Sequence, residues 1–287
     1  MATVDSDDSV QATIGYLARD DQHQRVKPYY LYLDYDSDLP PTNTTADDRL
    51  LQIRNARSLG LAPRDMFFEW GFAQLPLDCP LTPEEYWSEQ KVKEILYPKY
   101  ESTALFLFPN AARVEILEHA VRQRHPRWLS ENLERHHLET NQPSDYVHID
   151  MTANSAAKCS IKKFNIHPKD YSRFVVVNLW KPIRGPVHDF PLTLCDRRTV
   201  DFASQTTAMD IVHRNYINEN TRVYFDEKHE WYYWHGLQVD EVIAFIQADS
   251  EAEGRAGVPH TAFLDPRIGD GKQLRESIEA RVFVFFD

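Results

Sequence analysis

The sequence predicts a mainly β protein with a jelly-roll or sandwich core, and two observations support this fold class. The second half of the chain contains seven short runs of β-branched or aromatic residues, separated by turn residues. Such a succession is typical of a sandwich or jelly roll, whereas a doubly wound sheet would alternate strands with helices. The chain also has only 9 glycines and no glycine-rich phosphate loop, so a nucleotide-binding fold has little support.

The first hundred residues predict few regular elements. Residues 1–65 are polar and rich in Asp and Thr, apart from "YYLYLDY" at 29–35, which predicts a strand. We expect this region to wrap or cover the core. "TPEEYWSEQKVKEILYPKY" then predicts a helix with Thr82 as its N-cap and Pro83 at its first position, and this helix should end before Pro98.

From residue 104 onward the pattern is mainly that of strands. "ALFLFP" at 104–109 predicts a buried strand, and "ARVEILEHAVRQR" at 112–124 is ambiguous between a strand and a helix. The polar connection at 200–220 is expected to be irregular and to act as a lid. The strands predicted in the second half are "DYVHIDM" (145–151), "RFVVVNLWKP" (173–182), "TRVYF" (221–225), "HEWYYWH" (229–235), "EVIAFIQAD" (241–249), "VPHTAF" (258–263) and "IEARVFVFF" (278–286).

The length of the chain and its hydrophobic content predict a single domain. The 287 residues with 42% hydrophobic content are enough for one large core. We expect residues 1–100 to form an N-terminal lid or helical extension that packs on a jelly-roll core at 104–287.

Charge and cysteine content narrow the partners and the compartment. The 32 Lys and Arg residues against 44 Asp and Glu residues give a formal charge of −12, which repels nucleic acid and anionic membrane surfaces. No apolar run approaches the roughly 18 residues that would span a bilayer, and the acidic start precedes no apolar signal segment. Cys79, Cys159 and Cys195 are odd in number and form no C-x-x-C pair, which favours a reducing, cytoplasmic compartment. We expect a small-molecule substrate and no nucleic-acid or membrane partner, and a homodimer stays open.

A histidine and an aspartate stand two residues apart in the apolar run "YVHIDMT". Side chains of a strand alternate between two faces, so His148 and Asp150 share one face while Val147, Ile149 and Met151 share the other. A buried carboxylate needs a cation, a metal or hydrogen-bond donors. An isolated H-x-D also fits a half-exposed edge strand, so only a further ligand elsewhere in the chain would indicate a metal site.

That further ligand lies near the C-terminus. His260 stands in "GVPHTAF", and "RES", from Arg275 to Ser277, opens the last predicted strand. Two histidines and one carboxylate bind one triangular face of a six-coordinate Fe(II) and leave three positions for a bidentate cosubstrate and dioxygen. An arginine one strand away can bind a far carboxylate of that cosubstrate with two parallel hydrogen bonds, and a serine hydroxyl can be a further donor. The order therefore predicts His148, Asp150 and His260 as metal ligands and catalytic residues.

This order of motifs resembles that of the non-heme Fe(II), 2-oxoglutarate-dependent oxygenases, whose core is a double-stranded β-helix. Within that superfamily the chain is similar to the largely fungal hydroxylase/desaturase group related to gibberellin desaturase and to cephem-methoxylase-like proteins. The similarity runs from about Ala104 to the C-terminus. It is specific in the blocks "VVVNLWKPIRGPVHDFPLTLCDRR" (175–198), "HEWYYW" (229–234), "DEVIAFIQADS" (240–250), "PHTAF" (259–263) and "RESIEAR" (275–281).

The resemblance implies a cofactor set and a reaction class. It implies a double-stranded β-helix core of the jelly-roll or cupin type with flanking helices, Fe(II) held by His148, Asp150 and His260, and 2-oxoglutarate and O2 as cosubstrates. It further implies hydroxylation or desaturation of a small molecule in specialised (secondary) metabolite biosynthesis. The iron and the cosubstrate supply the difficult chemistry, while the protein positions one C–H bond and excludes water.

Several residue roles stay open. Arg275, with Ser277, is preferred as the partner of the 2-oxoglutarate carboxylate because of the R-x-S spacing. Arg281 is the alternative, since a charge directly before the apolar run "VFVFF" needs an anion, and in a regular strand it shares the face of Arg275. Asn178 is either a donor near the cosubstrate or a satisfied core amide. Trp180 is either a wall of the pocket or a core tryptophan.

Two further pairs and two alternative functions complete the predictions. Arg197 and Arg198 are either anchors for an acidic substrate in its pocket or surface residues. His136 and His137 are adjacent and point to different faces, which makes them poor joint ligands. A cupin-like isomerase, or a dioxygenase that does not use 2-oxoglutarate, would need neither arginine near the metal. A non-catalytic jelly-roll binding module would lack a complete triad, whereas all three ligands are present.

Overall fold

Two β-sheets whose inner faces meet form the body of the protein. The computed structural model describes residues 9–31, 39–128, 140–252, 254–269 and 273–287. The strands in this part of the chain are β1 (Val10–Leu17), β2 (Tyr29–Leu31), β3 (Ala46–Asn55), β4 (Phe72–Pro76), β5 (Arg113–Gln123), β6 (His148–Ile149), β7 (Arg173–Pro182), β8 (Leu192–Cys195), β9 (Thr206–Val212), β10 (Ile217–Val223), β11 (Trp231–Tyr233), β12 (Glu241–Asp249), β13 (His260–Ala262) and β14 (Glu276–Phe286).

The two sheets differ in size and regularity. The larger sheet has nine strands in the order β1-β3-β11-β8-β13-β6-β10-β9-β2, and the smaller has five in the order β4-β12-β7-β14-β5. Neighbouring strands are antiparallel except for the pairs β3–β11 and β2–β9. The Phe245 ring of the smaller sheet lies 4.7 Å from the His260 ring of the larger one, measured between centroids. The fold is thus the mainly β jelly-roll core that the sequence predicts.

Helices pack against the sheets. They are α1 (Pro63–Trp70), α2 (Glu89–Lys91), α3 (Tyr97–Leu107), α4 (Ala153–Phe164) and α5 (Phe202–Gln205). α1 and α3 lie on the outer face of the smaller sheet. α4 begins directly after the H-x-D motif, where the Thr152 hydroxyl accepts the Ser155 N–H as an N-cap. Within the described residues we find no helix with the length and apolar composition needed to span a bilayer.

Alternation along β14 determines which residues face the other sheet. Ile278, Ala280 and Val282 belong to the hydrophobic cluster that also contains residues of α1 and α3, on the outer face of the smaller sheet. The residues between them, Glu279 and Arg281, therefore point to the inner face. A strand that is apolar on one face and charged on the other thus places its charges between the sheets.

The segment at 104–109 differs from the sequence-based expectation. We predicted a buried strand here and a helix end before Pro98, but α3 continues to Leu107. A π-helical turn at Val92–Leu96 precedes this helix, and the N–H of Tyr97 donates to the carbonyl of the first residue of that turn. The wider turn lets the helix continue through a residue that has no N–H. Both predictions were wrong because the proline was treated as a terminator.

Three other segments resolve or correct predictions. The connection at 200–220 was expected to be irregular, but it contains α5, β9 and most of β10, and β9 and β10 pair as a hairpin. The ambiguous run at 112–124 forms the strand β5. In the run at 29–35 the first three residues form β2, whereas residues 32–35 lie outside the described part of the chain. The polar N-terminal region contributes β1 and β3 to the larger sheet.

Candidate active site

The H-x-D motif and the distal histidine meet between the two sheets. β6 and β13 are neighbours in the larger sheet, and His148 and His260 are direct partners in their register. The Nε2 atoms of His148 and His260 lie 3.3 Å and 4.0 Å from Oδ1 of Asp150. One ligand atom from each of the three residues lies within 4.8 Å of the other two. The structure therefore brings together the three residues that the sequence singles out.

Backbone carbonyls fix the orientation of both imidazoles. Nδ1 of His148 lies 2.7 Å from the carbonyl oxygen of Tyr146, and Nδ1 of His260 lies 3.1 Å from that of Val258. A carbonyl can only accept, so each Nδ1 carries the proton and each Nε2 keeps its lone pair. Burial and the neighbouring His148 lower the pKa of His260 to about 4. His260 is therefore a neutral ligand, and both rings are oriented from behind as in most metal-binding histidines.

Asp150 is held through its second carboxylate oxygen. Nδ2 of Asn178 donates to Oδ2 at 2.6 Å, and Nε of Arg281 lies 3.5 Å from the same atom. The backbone N–H of Asp150 donates to Oε1 of Gln247 at 2.7 Å. Burial acts to raise the pKa of Asp150, but Arg281 and His148 hold it well below its usual range. The carboxylate is thus ionised, and Oδ1 stays turned towards the histidines.

The donor set fits a divalent transition metal. Two neutral imidazole nitrogens and one carboxylate oxygen on one side of a site, with a cavity on the other, are the ligands that suit non-heme Fe(II). The hydrogen bonds that orient the three side chains use Nδ1 of both histidines and Oδ2 of Asp150, which leaves the two Nε2 atoms and Oδ1 for a metal. An ion can therefore bind without breaking them.

Gly257 fixes the distance between the H-x-D strand and the smaller sheet. A Cβ atom at this position would lie 2.5 Å from Cγ2 of Ile149 and 2.7 Å from the carbonyl oxygen of Gln247. Real Cβ atoms essentially never approach other atoms so closely, so any side chain would force β6 away from β12. The glycine permits the close packing on which the Asp150 position depends.

Arg275 lies buried at the inner end of the site. Its guanidinium lies 4.9 Å from the centroid of the Trp180 ring. Nε donates to Oγ of Ser277 at 3.2 Å, and Nη1 donates to the carbonyl oxygen of Phe190 at 2.7 Å. Burial and the repulsion of Arg122 lower the pKa of Arg275 to about 9. Among the described residues no carboxylate forms an ion pair with this guanidinium, so it can bind an anion.

Arg281 has different partners. Nη1 of Arg281 lies 3.1 Å from Oε1 of Glu118, and its Nε faces Asp150. Both contacts are to acids, and these acids raise the pKa of Arg281 although burial acts to lower it. The two arginines that the sequence leaves as rivals therefore differ in the structure: Arg281 is paired within the protein and Arg275 is not.

A narrow inner cavity joins the triad to Arg275. Its wall includes Trp180, Arg275, Glu279 and Arg122, together with the three triad residues. Nε and Nη2 of Arg122 donate to Oε1 of Glu279 at 3.0 Å and 2.8 Å. The cavity measures about 20 Å³, which is room for one water molecule. A five-carbon diacid therefore needs the side chains of this wall to move before it can bind.

Not every predicted residue reaches the site. Arg197 donates to backbone carbonyls at the end of α1, and Arg198 pairs with Asp196 and stacks on the Trp70 ring at 4.5 Å. Neither arginine lines the cavities beside the triad. His136 and His137 lie outside the described residues.

Sequence reasoning missed several polar residues around the triad. Arg122 and Glu279 form an ion pair at the inner cavity, and Gln247 orients the backbone of Asp150. Gln247 and Glu279 each interrupt a largely apolar strand, "EVIAFIQAD" and "IEARVFVFF", whereas Arg122 stands among other charged residues of β5. That interruption is a signal of an inward-facing polar group, but it identifies no partner.

A comparison with protein-family models decides which family the chain belongs to. A model described as an Oxidoreductase/YMDC permease-like domain matches residues 14–285, nearly the whole chain. The chain belongs to this family. The match includes both sheets and the three triad residues.

The chain is also similar to characterised fungal proteins and to a solved structure. The chain is 25% identical over 242 residues to the hydroxylase/desaturase poxK of Penicillium oxalicum, covering 73% of this chain and 71% of that protein. It is 28% identical over 242 residues to the alpha-ketoglutarate-dependent dioxygenase phiK of a fungal species, covering 82% of this chain and 85% of that protein. The structure of the iron and alpha-ketoglutarate-dependent endoperoxidase NvfI superposes with a TM-score of 0.79 and 21% identity, over 97% of this chain and 98% of that one. The resemblance to the fungal oxygenase group and the predicted fold are confirmed.

Proposed function

We propose that the protein is an Fe(II)- and 2-oxoglutarate-dependent dioxygenase that hydroxylates or desaturates a small molecule in specialised metabolite biosynthesis. The observation that carries the proposal is the convergence of His148, Asp150 and His260 beside Arg275, a buried guanidinium that no carboxylate among the described residues neutralises. The names of the relatives, a hydroxylase/desaturase and an alpha-ketoglutarate-dependent dioxygenase, support the same reaction class.

The triad residues hold the iron in this proposal, and their neighbours hold the triad. The bound metal and the oxoacid together supply the oxidation of a C–H bond by dioxygen. The carbonyls behind His148 and His260 keep both Nε2 lone pairs free, and Asn178 keeps Oδ2 of Asp150 occupied. The protein thereby offers three ligand atoms in a fixed arrangement and leaves the side that faces the cavity open.

Arg275 is the residue that we assign to the far carboxylate of 2-oxoglutarate. Its planar fork can make two charge-assisted hydrogen bonds to that carboxylate. The Trp180 ring supports the guanidinium, and the Ser277 hydroxyl, whose oxygen already accepts from Nε, can turn its proton towards the ligand. Arg281 instead keeps Asp150 ionised. The Arg122–Glu279 pair is the part of the wall that we expect to move when the oxoacid enters.

We also propose that the chain works as one oxygenase domain, with residues 1–100 packed on the core at 104–287 and partly covering it. β3 and β4 from the first hundred residues pair with β11 and β12 of the core, and Lys27 lines the cavity next to the triad. All three cysteines are free, which supports a reducing, cytoplasmic compartment. The substrate is a small molecule that the cavity beside the triad can admit.

An anaerobic absorption spectrum tests the proposal. Fe(II) and 2-oxoglutarate added together to the protein should give the weak visible charge-transfer band of an iron-bound oxoacid. Succinate, which lacks the 2-oxo group, should give no band, and neither should the His260→Ala variant with 2-oxoglutarate. A protein that binds the metal but gives no band, or that turns over without the oxoacid, would be better described as a cupin that uses its metal in another way.

A further inference from the structure

A second, larger cavity opens beside the triad on the side away from Arg275. It measures about 780 Å³ and lies between β5, α4 and the β9–β10 hairpin. His148, Asp150 and Arg122 line both this outer cavity and the inner one. If the inner cavity takes the oxoacid, as proposed above, a C–H bond of the substrate can reach the metal only from the outer cavity. The chemistry of its wall therefore indicates the chemistry of the substrate.

The wall of the outer cavity is basic although the chain is acidic. Seven Lys or Arg side chains line it against four acids, a local excess of three positive charges in a chain of formal charge −12. Asp210 and Glu219 both pair with Lys27. Glu118 and Asp150 pair with Arg281. All four acids of the wall are thus paired with Lys27 or Arg281. They are not available to neutralise the other cations of the wall.

Arg222 is the unpaired cation nearest to the metal ligands. Its backbone is paired directly with His148 between β10 and β6, so the two side chains lie on the same face of the larger sheet. Its guanidinium lies 5.0 Å from the centroid of the Tyr146 ring, and Nε donates to Sδ of Met209, a weak acceptor, at 3.1 Å. Nη1 is enclosed and has no hydrogen-bond partner. No ion pair joins Arg222 to a carboxylate in the part of the chain that the structure describes.

An enclosed guanidinium with an unused donor is unfavourable unless a ligand completes it. Charged groups in proteins are normally paired when they are buried, because desolvation of an unpaired charge is costly. Arg275 at least donates to a carbonyl and a hydroxyl, whereas Arg222 has only the thioether and the ring. The remaining wall is mixed, with the apolar side chains Leu117, Met151 and Ile211 among polar ones such as Asn154 and Asn218. The wall therefore matches a ligand with one anionic oxygen group on a body of mixed polarity.

We propose that the outer cavity binds a carboxylic acid of mixed polarity as substrate, and that Arg222 holds its carboxylate next to the triad. This inference rests on the proposed function. Arg222 is a specificity-determining residue in it, because it fixes which end of the substrate enters first. Lys158 and Lys162 are exposed at the rim of the cavity and contribute attraction without a fixed geometry.

A matched pair of probes tests the proposal without knowledge of the natural substrate. Phenylacetate and phenylacetamide have nearly the same shape and differ in charge. Calorimetric titration into protein that is saturated with Fe(II) and 2-oxoglutarate under anaerobic conditions should show the acid binding at least about tenfold more tightly than the amide. Arg222→Gln should remove this preference, whereas Lys162→Gln, which changes a rim charge, should retain most of it. Equal binding of acid and amide, no binding of the acid, or an unchanged preference in Arg222→Gln would each overturn the proposal.

Thermal unfolding provides a second readout that needs no ligand. An enclosed guanidinium nitrogen without a partner contributes nothing to the stability of the free protein, so Arg222→Gln should raise the Tm of the ligand-free protein or leave it unchanged. A purely structural arginine would instead lower the Tm when it is replaced, and that result would count against the proposal. The initial 2-oxoglutarate titration separates the two claims. If the protein does not bind 2-oxoglutarate, the proposed function is wrong. The binding of phenylacetate and phenylacetamide can still be compared on the metal-free protein, so the role of Arg222 is tested separately.

Discussion

The two sheets contribute to the site in opposite ways. The larger sheet supplies the triad from its shortest strands, since β6 has two residues and β13 has three. The smaller sheet supplies Arg122, Glu279 and Arg281 from β5 and β14, which have eleven residues each. Neutral histidines need only a carbonyl behind them to be oriented. Buried charges need long, well-paired strands that prevent the chain from moving to hydrate them.

This difference separates metal binding from anion binding. If the larger sheet holds the metal and the smaller sheet holds the oxoacid, substitutions on one sheet should impair one ligand and spare the other. Asn178 and Arg281 are exceptions, since they belong to β7 and β14 of the smaller sheet but contact Asp150. Each prediction below tests this division, beginning with the largest expected effect.

Removal of a triad ligand should have the largest effect. We expect His148→Ala, Asp150→Ala and His260→Ala each to weaken Fe(II) binding by at least about 100-fold and to abolish iron-dependent turnover, because one of three protein ligands is lost. Asp150→Glu should also fail, since it moves the oxygen by about one bond length in a site that tolerates roughly 0.5 Å. Metal titration followed by dialysis and metal analysis measures this.

A buried histidine outside the triad provides the matched control. His229 is also buried, and both of its ring nitrogens have protein partners. His229→Gln should retain iron binding. If this variant lost iron as completely as His260→Ala, the effect would reflect damage to the fold, and the triad assignment would lose its support.

Substitution of the two rival arginines should separate the ligands. Arg275→Lys keeps the charge but not the fork, so we expect the apparent 2-oxoglutarate requirement to rise at least about tenfold, or about 1.4 kcal/mol, with iron binding nearly intact. Arg281→Lys, six residues further along the chain in β14, should leave the 2-oxoglutarate requirement nearly unchanged and weaken iron binding through Asp150. Steady-state kinetics and metal titration of both variants measure these quantities.

Other outcomes of this pair are also informative. If Arg281→Lys weakens 2-oxoglutarate binding and Arg275→Lys does not, the two arginines exchange roles and the oxygenase proposal survives. If neither substitution changes the dependence on the oxoacid, the cosubstrate assignment is wrong.

Asn178→Ala should have a smaller effect, and on the metal. Loss of the 2.6 Å hydrogen bond to Oδ2 leaves Asp150 less well oriented, so we expect iron affinity to fall about tenfold with little change in the 2-oxoglutarate requirement. Metal titration and kinetics at saturating iron distinguish the two. A raised 2-oxoglutarate requirement with unchanged iron affinity would instead support the other interpretation of the sequence, in which Asn178 is a donor to the cosubstrate.

The pH dependence of stability should show the smallest effect, and it should come from His229, which contacts Tyr16 and Gln205. Burial lowers the pKa of His229 to about 4, while an unfolded histidine titrates near 6.5. As the pH falls from about 6.5 to about 4, the unfolded chain takes up a proton that the folded chain does not, so the free energy of unfolding decreases. We expect this decrease to be smaller in His229→Gln, by a few degrees in Tm at about pH 5. Parallel Tm profiles for the two proteins would contradict the assignment.

The sequence predicts the smaller sheet better than the larger one, for a physical reason. β7 and β12 begin and end at the predicted residues because strands buried on both faces form uninterrupted apolar runs. β9 was missed, and the strand predicted at 221–225 covers only the end of β10, because the residues of both strands are mostly half-buried and polar, with no alternation to detect. The run at 104–109 was assigned to a strand because a short apolar run does not distinguish a strand from a buried helix.

The residues of the candidate site were likewise only partly predictable from the sequence. His148, Asp150 and His260 could be found from spacing and order alone, because the ligands of a metal are chemically distinctive. Arg222 and Glu279 could not, because a charged residue in a strand suggests solvent exposure until the register of the sheet is known. The choice between Arg275 and Arg281 likewise needed their partners, which lie more than a hundred residues away for Arg281 and about ninety for Arg275.

Gly257 carries no chemistry, yet the smallest possible addition there would displace Ile149, the residue between His148 and Asp150. A methyl group would press on the side chain next to Asp150 and on the carbonyl of Gln247, and a backbone carbonyl cannot turn aside as a flexible side chain can. In a library of random variants selected for turnover, substitutions at position 257 should therefore be depleted about as strongly as those of the ligands themselves. Evolution can therefore change the residues that line the pocket more freely than it can change position 257, although Gly257 takes no part in the reaction.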